Sequence, residues 1–178
     1  MSDFTQRGLF GDAITALFPS KLIDASDLRQ IPDTQEVLLY PDSDVSIILE
    51  ILERVQSNDH TDAAKFHFES LAHDNSALSS SVGEVAIIPN DREDLTPSPV
   101  VLYGSQVVKK FNRERGDDVR ILLALYRVEE KQVDLVLSMN IPMRSEAGAT
   151  SDQEFLASKE VFDTAVRSLR IVDFGLFA

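Results

Sequence analysis

Four carboxylates lie close together near the N-terminus and are the residues best placed to do chemistry. They are Asp24, Asp27, Asp33 and Glu36, the last two being three residues apart. Carboxylates this close can act as a general acid and base, bind a hard cation, or face a basic protein surface. The plainer alternative is that they only cap turns and solvate a loop. Because apolar residues alternate with the acids and Pro32 stiffens the segment, the pattern favours carboxylates held in fixed positions.

The remaining sequence contains no recognisable catalytic or metal-binding motif. His67 and His73 are six residues apart and so do not share a helix face; with His60 they are interpreted as ordinary surface or boundary residues. No GxGxxG, GxxxxGKS, GxxxxGKT or GxSxG motif occurs. The run Ser79–Ser81 is interpreted as a flexible linker. The sequence therefore assigns no catalytic residue, no metal ligand and no cofactor.

The charge balance restricts the partners. The 178 residues contain 17 Lys and Arg against 30 Asp and Glu, and this net charge of −13 repels phosphate backbones and anionic lipid headgroups. We therefore expect no nucleic-acid partner and no membrane insertion. The absence of Cys suits a reducing compartment, and the absence of a signal peptide or of 18 successive apolar residues predicts a cytosolic or nuclear protein.

Hydrophobic periodicity predicts seven strands and two helices in one domain. The expected strands are 13–18, 36–40, 45–54, 82–88, 100–111, 119–128 and 133–141. One helix is predicted over 61–72, with Thr61 as its N-cap, and the other from 151 to about 170, opened by the capping box Ser151 to Glu154. A structured loop with one helical turn is expected over 21–32, a polar break over 75–81, a mobile surface loop over 89–99 and a polar linker over 142–150.

The pattern within these elements indicates how they pack. Residues 119–128 are apolar on both faces, as in a central strand of a sheet that is covered on both sides. The polar residues 129–132 suit a hairpin loop, and Gly104 suggests a bulge. Helix 151–170 has an apolar stripe, which includes Phe162, for packing on the sheet. The predicted fold class is therefore α+β with a mostly antiparallel sheet.

At the carboxylate cluster the sequence resembles a known family. Residues 22–37, LIDASDLRQIPDTQEV, look like the signature of the Ran guanine-nucleotide release factors, the Mog family. Further similarity lies in Phe66-His67-Phe68-Glu69, around residues 124–127 and 134–136, and in the terminal segment 172–177. The chain departs from the family pattern at Gly11-Asp12, where the family has two glycines, and at Ser70, where an acid is usual.

The resemblance implies both a fold and a function. The implied fold, shared with the PsbP photosystem proteins, is an antiparallel sheet between helices, an α/β/α sandwich in which residues 1–178 form one Ran-binding domain. The implied function is binding of the GTPase Ran and promotion of guanine-nucleotide release, without a chemical step of its own, in support of nuclear protein import. A monomer in nucleus and cytoplasm is expected. The family's partner-binding residues correspond here to Asp24, Asp33 and Glu36, with Asp27 and Arg29 beside them.

Two alternatives from other functional classes stay open at this point. The first is a hydrolase that uses Asp33 and Glu36 as paired carboxylates, which requires a deep pocket and one carboxyl group of raised pKa. The second is an adaptor that uses the PsbP-like fold to bind another protein without releasing nucleotide. A convex, exposed acidic surface favours binding over hydrolysis.

Overall fold

The two most apolar runs form two neighbouring inner strands of the large sheet. The computed structural model describes residues 3–109, 116–145 and 148–178. Strands β8 (Asp117–Val128) and β9 (Val133–Pro142) are antiparallel and joined by a 3-10 turn over Glu129–Lys131, as the polar loop predicted. The turn closes at Gln132, whose φ of 55° lies in the left-handed region.

Five further strands extend this pair into a seven-stranded antiparallel sheet in the order β3-β4-β5-β9-β8-β7-β6. A second, antiparallel sheet has the order β1-β2-β12, and β10 pairs with β11 in a short hairpin. The bounds are β1 Phe4–Leu9, β2 Ile14–Pro19, β3 Ile23–Asp24, β4 Gln35–Leu39, β5 Ser46–Glu53, β6 Ala77–Ile87, β7 Val100–Val108, β10 Arg144–Ser145, β11 Gly148–Ala149 and β12 Arg170–Ile171.

Two helices cover the two faces of the large sheet. They are α1 (His60–Asp74) and α2 (Asp152–Ser168). Alternate residues of β8 point into two separate cores: Leu122 joins the core under α2 and the small sheet, whereas Leu123 joins the core under α1. The hydroxyl of Tyr126 donates a hydrogen bond of 2.8 Å to the carbonyl of Val166 in α2. The predicted α+β class, with an antiparallel sheet between helices, is confirmed.

Each helix begins directly after a residue whose side chain accepts a hydrogen bond from a backbone amide of the first turn. Ser151 accepts a hydrogen bond of 3.1 Å from the amide of Glu154, so the predicted cap of α2 is confirmed. The predicted cap of α1 is wrong, because Asp59 rather than Thr61 accepts the bond from the amide of Asp62.

Strand β6 corrects the prediction of a polar break over 75–81. It begins at Ala77, and Ser79–Ser81 form part of its pairing with β7 rather than a flexible linker. This strand lies at the edge of the sheet, where polar side chains meet solvent and limit unwanted pairing. A bulge lies in β6 between Val82 and Glu84, opposite Gly104, at which a Cβ atom would lie 2.7 Å from the Phe68 ring. Residues 110 and 111, predicted to continue β7, lie outside the described residues.

The surface loop over 89–99 is fixed to the rest of the molecule at its centre. The Arg92 guanidinium donates to the carbonyls of Ser168 and Leu169, at 3.0 and 2.7 Å, where α2 ends. The buried Thr96 hydroxyl accepts a hydrogen bond from the amide of Ile171. The sequence predicts a mobile loop here, whereas these hydrogen bonds tie the loop to the end of α2 and to β12.

A buried ion network fixes the start of α1 against the sheet. The Asp134 carboxylate accepts hydrogen bonds from the Arg127 Nε and the Val55 amide, both at 3.0 Å, and lies 2.8 Å from the His67 Nε2. Burial alone would raise the pKa of Asp134, but these hydrogen bonds to His67, Val55 and Arg127 hold it below its usual value. His67 is therefore a buried structural residue, not the surface or boundary residue expected. No helix in the described part of the chain is long and apolar enough to cross a membrane.

The packing of α2 predicts a large cost for truncating its central aromatic residue. Phe162 is 1% exposed, so Phe162→Ala should leave a cavity and lower the free energy of unfolding by about 3 to 5 kcal/mol. Leu156→Ala, in the same helix but at a side chain that is 60% exposed, is the matched control and should stay within about 0.5 kcal/mol of the parent. Denaturant unfolding measures both; equal midpoints would show that α2 is not docked in this way.

Candidate partner-binding surface

The acidic segment, defined here as residues 24–36, connects β3, which is an edge strand of the large sheet, to its neighbour β4. It starts with a 3-10 turn over Ala25–Asp27 that packs against β4. The Asp24 carboxylate caps this turn by accepting hydrogen bonds from the Ser26 amide at 2.9 Å and hydroxyl at 2.7 Å. At the other end, the Gln35 amide donates to the Pro32 carbonyl at 3.0 Å. The segment therefore has a defined conformation, as Pro32 and the turn-forming acids predicted.

A residue of β1 and a residue of the turn that follows it brace the acidic segment, the first just before its start and the second at its end. The Arg7 guanidinium donates a hydrogen bond of 2.8 Å to the Leu22 carbonyl, and the Phe10 amide donates one of 2.8 Å to the Glu36 Oε1. Glu36 is half-buried, and its donor lies 26 residues away in the chain. Its carboxylate is thus already a structural acceptor that joins the small sheet to the large one.

The turn that supplies this amide is built from left-handed residues. Phe10, Gly11 and Asp12 have φ values of 52°, 64° and 68°. Asp adopts this region more readily than most side chains do, so the turn accommodates Asp12 where the family pattern has glycine. A Cβ atom at Gly8 would lie 1.7 Å from the Asp12 carboxylate, which explains why a glycine faces this turn.

The five predicted binding residues separate into two groups. Asp24 and Glu36 are half-buried and bonded within the protein, whereas Asp27, Arg29 and Asp33 are exposed. The side chains of these three make no hydrogen bond or ion pair with the residues that the structure describes. They are the charges of the segment that a partner can contact directly.

Leu28 is one of the apolar residues that alternate with the acids. That pattern predicts an anchor for the loop, but the Leu28 side chain is 67% exposed. Leu22, by contrast, is buried as expected. Leu28 lies between Asp27 and Arg29 in a run of exposed polar residues, and those polar neighbours are the sequence signal for its exposure. A single exposed apolar side chain is common on protein surfaces, so the charges beside Leu28 remain the main feature of this segment.

The paired-carboxylate arrangement required for hydrolysis does not match this geometry. Asp33 is exposed, and Glu36 already accepts a backbone N–H, so the two carboxylates do not face each other in an enclosed pocket. Among residues 3–109, 116–145 and 148–178, no group of three or more His, Asp or Glu side chains is placed to hold a metal ion. The exposed charges favour a binding surface.

Comparison with known proteins identifies similar chains over nearly the whole length. Residues 7–142 match the family described as Ran-interacting Mog1 protein. The chain is 35% identical to the Ran guanine nucleotide release factor of Danio rerio, covering 96% of this chain and 98% of the relative. It is 32% identical to the nuclear import protein mog1 of Schizosaccharomyces pombe, with the same coverage. The crystal structure of the Saccharomyces cerevisiae Ran-binding protein Mog1p superposes with a TM-score of 0.80 at 27% identity, over all of both chains.

The brace at Glu36 predicts unequal costs for removing two neighbouring carboxylates. Glu36→Ala leaves the Phe10 amide without its acceptor and should lower the free energy of unfolding by about 1 to 2 kcal/mol. Asp33→Ala removes an exposed, unbonded side chain and should change it by less than about 0.5 kcal/mol. Glu36→Gln keeps an oxygen acceptor and should recover most of the loss. Denaturant unfolding compares the three, and equal stability of both alanine variants would contradict the brace.

Proposed function

Because this chain belongs to the family of Ran-interacting Mog1 proteins, we propose that it binds the small GTPase Ran through the acidic segment and promotes release of the bound guanine nucleotide. The observation that carries the proposal is the exposed group Asp27, Arg29 and Asp33 on a segment with a defined conformation. Relatives that align along nearly the full length are named Ran guanine nucleotide release factor and nuclear import protein. The role is therefore one in nuclear protein import.

The acidic segment acts on Ran by electrostatic complementarity. Fixed carboxylates attract the basic residues and the Mg²⁺-adjacent surface with which a GTPase holds nucleotide phosphates. A protein that binds the nucleotide-free GTPase more tightly than the loaded form must weaken nucleotide binding by the same factor, because coupling between two ligands is reciprocal. Nucleotide release follows from this linkage without a covalent step, so the protein acts as an exchange-type factor and not as an enzyme.

The bracing contacts lower the entropic cost of binding a partner. Arg7 holds the chain at Leu22, just before the segment, and the Phe10 amide holds Glu36 at its end, so little backbone entropy is lost when a partner binds the exposed charges. Asp24 contributes by capping the turn that presents Asp27. We assign contact with Ran to Asp27, Arg29 and Asp33, and positioning of that surface to Asp24 and Glu36.

The whole chain acts as one Ran-binding domain, as a monomer, in both the nucleus and the cytoplasm. Its net charge of −13 gives it long-range attraction to basic surfaces in general. Specific recognition therefore has to come from charges at fixed positions, and the experiment on binding needs a control for overall charge.

Charge reversal at one exposed carboxylate tests the assignment of the surface. Asp33→Lys should weaken binding to nucleotide-free Ran by about tenfold, and raised salt should reduce the difference. The matched control is Glu93→Lys, which makes the same change in net charge at an exposed residue of the 89–99 loop, beside the end of α2. Isothermal titration calorimetry of the parent and both variants gives the dissociation constants. Equal weakening by both variants would indicate attraction by net charge alone, and no weakening by Asp33→Lys would refute the assignment.

Release kinetics test the mechanism. Mixing the protein with Ran that carries a fluorescent guanine nucleotide should accelerate loss of the label. Excess free nucleotide should drive the two proteins apart, because the coupling between the two binding equilibria is reciprocal. Asp33→Lys should need about ten times more protein for half-maximal acceleration, in line with its weaker binding. Stopped-flow fluorescence measures the rates. Tight binding with an unchanged release rate would identify an adaptor instead.

A further inference from the structure

Helix α1 covers only part of its face of the large sheet and leaves a groove beside it. The groove has a volume of about 470 Å³. Ile48 and Leu52 of β5 form its floor with Val136 of β9, and Phe66 and Leu71 of α1 line its wall. The strand register places Ile48 opposite Ser138 and Leu52 opposite Asp134, so both apolar side chains project from the face on which α1 packs.

The groove is apolar, open and bordered by a fixed helix. Phe66 is 56% exposed on the wall, while Ile48 and Leu52 are half-buried on the floor. The neighbouring His67 is 5% exposed and is bonded to Asp134, which holds this turn of α1 in place. A large aromatic side chain exposed next to an apolar floor is typical of a contact site for another protein.

The charges around the groove are negative. Glu50, Glu53 and Asp74 lie along it, and no Lys or Arg is found among the described residues that line it. His67 also lines the groove, but its Nε2 is hydrogen-bonded to the Asp134 carboxylate. An apolar floor with an acidic rim is complementary to an apolar side chain flanked by lysine or arginine.

The groove is continuous with the acidic segment. Gln35, at the start of β4, lines the groove and donates a hydrogen bond to Glu50. The amide of Ile51 donates to the Thr34 carbonyl at 2.9 Å, and Asp33 precedes Thr34 directly. A partner bound at Asp33 therefore meets the groove beside it.

We propose that this groove is a second part of the Ran-binding surface, and that it takes an apolar side chain of Ran that is flanked by basic residues. The inference rests on the proposed function, since it names the chemistry of a further contact with the same partner. Phe66 supplies the apolar contact and Asp74 the charge, because both line the groove on α1, both are exposed and neither has a role in the core. Together with Asp33 they extend the contact from the loop onto the face of the sheet.

Two single variants separate the apolar and the electrostatic contribution. Phe66→Ala should weaken binding to nucleotide-free Ran by about tenfold, and the loss should be nearly independent of salt, because it removes an apolar anchor. Asp74→Lys should weaken binding by about fivefold at low salt, and the loss should shrink as salt screens the charges. Titration calorimetry at 50 mM and 500 mM salt gives both dependences, because the Debye length falls from about 14 Å to about 4 Å between these two conditions. Matching unfolding midpoints confirm that the variants fold.

The controls are two variants that make the same chemical change near α2, beyond the opposite face of the sheet. Leu156→Ala removes an apolar side chain that is 60% exposed on α2, and Glu93→Lys reverses an exposed charge in the loop bonded to the end of α2. Both should bind Ran like the parent, apart from a small common effect of net charge.

The outcomes distinguish this inference from the proposed function. If the parent binds Ran and Asp33→Lys weakens the complex, but Phe66→Ala and Asp74→Lys match their controls, the groove is not part of the surface and the proposed function stands. If the parent does not bind Ran, the proposed function fails and the groove assignment fails with it. If sedimentation shows that Phe66→Ala converts a dimer of the parent into a monomer, the groove pairs two copies of this chain, and the inference is overturned.

Discussion

The fold depends on one constraint, which is that β8 carries apolar side chains on both faces. Leu122 and Tyr126 project to one side and Ile121 and Leu123 to the other, and all four are almost completely buried. Such a strand is stable only in a sheet with a cover on each face. α1 forms one cover, and α2 with the small sheet forms the other. The edges of the sheet are then left for function, with the acidic segment at one edge and the polar strand β6 at the other.

The small sheet does more than close the second core. Arg7 of β1 bonds to Leu22 just before the acidic segment, and the amide of Phe10, in the turn after β1, bonds to Glu36 at its end. Glu36 is thus used within the protein, as is Asp24, which caps the turn over 25–27, and the exposed Asp27, Arg29 and Asp33 are presented on a loop of defined shape. Charges fixed in this way contribute to association rate and specificity more than mobile charges do. The same carboxylate cluster thus serves stability and recognition at different residues.

Patterns within a few residues predicted the architecture, and contacts between distant residues decided the site. The apolar run in 119–128 and the Ser151 cap involve neighbours along the chain, so sequence alone identified the central strand and the start of α2. The structural use of Glu36 depends on a donor 26 residues away, and the burial of His67 depends on Asp134, 67 residues away. Strand β1 was not predicted because its exposed, polar residues pair with β2 without an apolar alternation of their own.

Hydrogen exchange of the chain alone and in complex with nucleotide-free Ran tests most directly whether the acidic segment is the binding surface. Most of residues 26–34 are exposed, and few of their amides are bonded within the described part of the chain, so a bound partner should slow their exchange strongly. Exchange in the 89–99 loop, beside the end of α2, should stay unchanged. Protection confined to the 89–99 loop or to α2, with unaltered exchange over 25–34, would contradict the assignment of the Ran-binding surface.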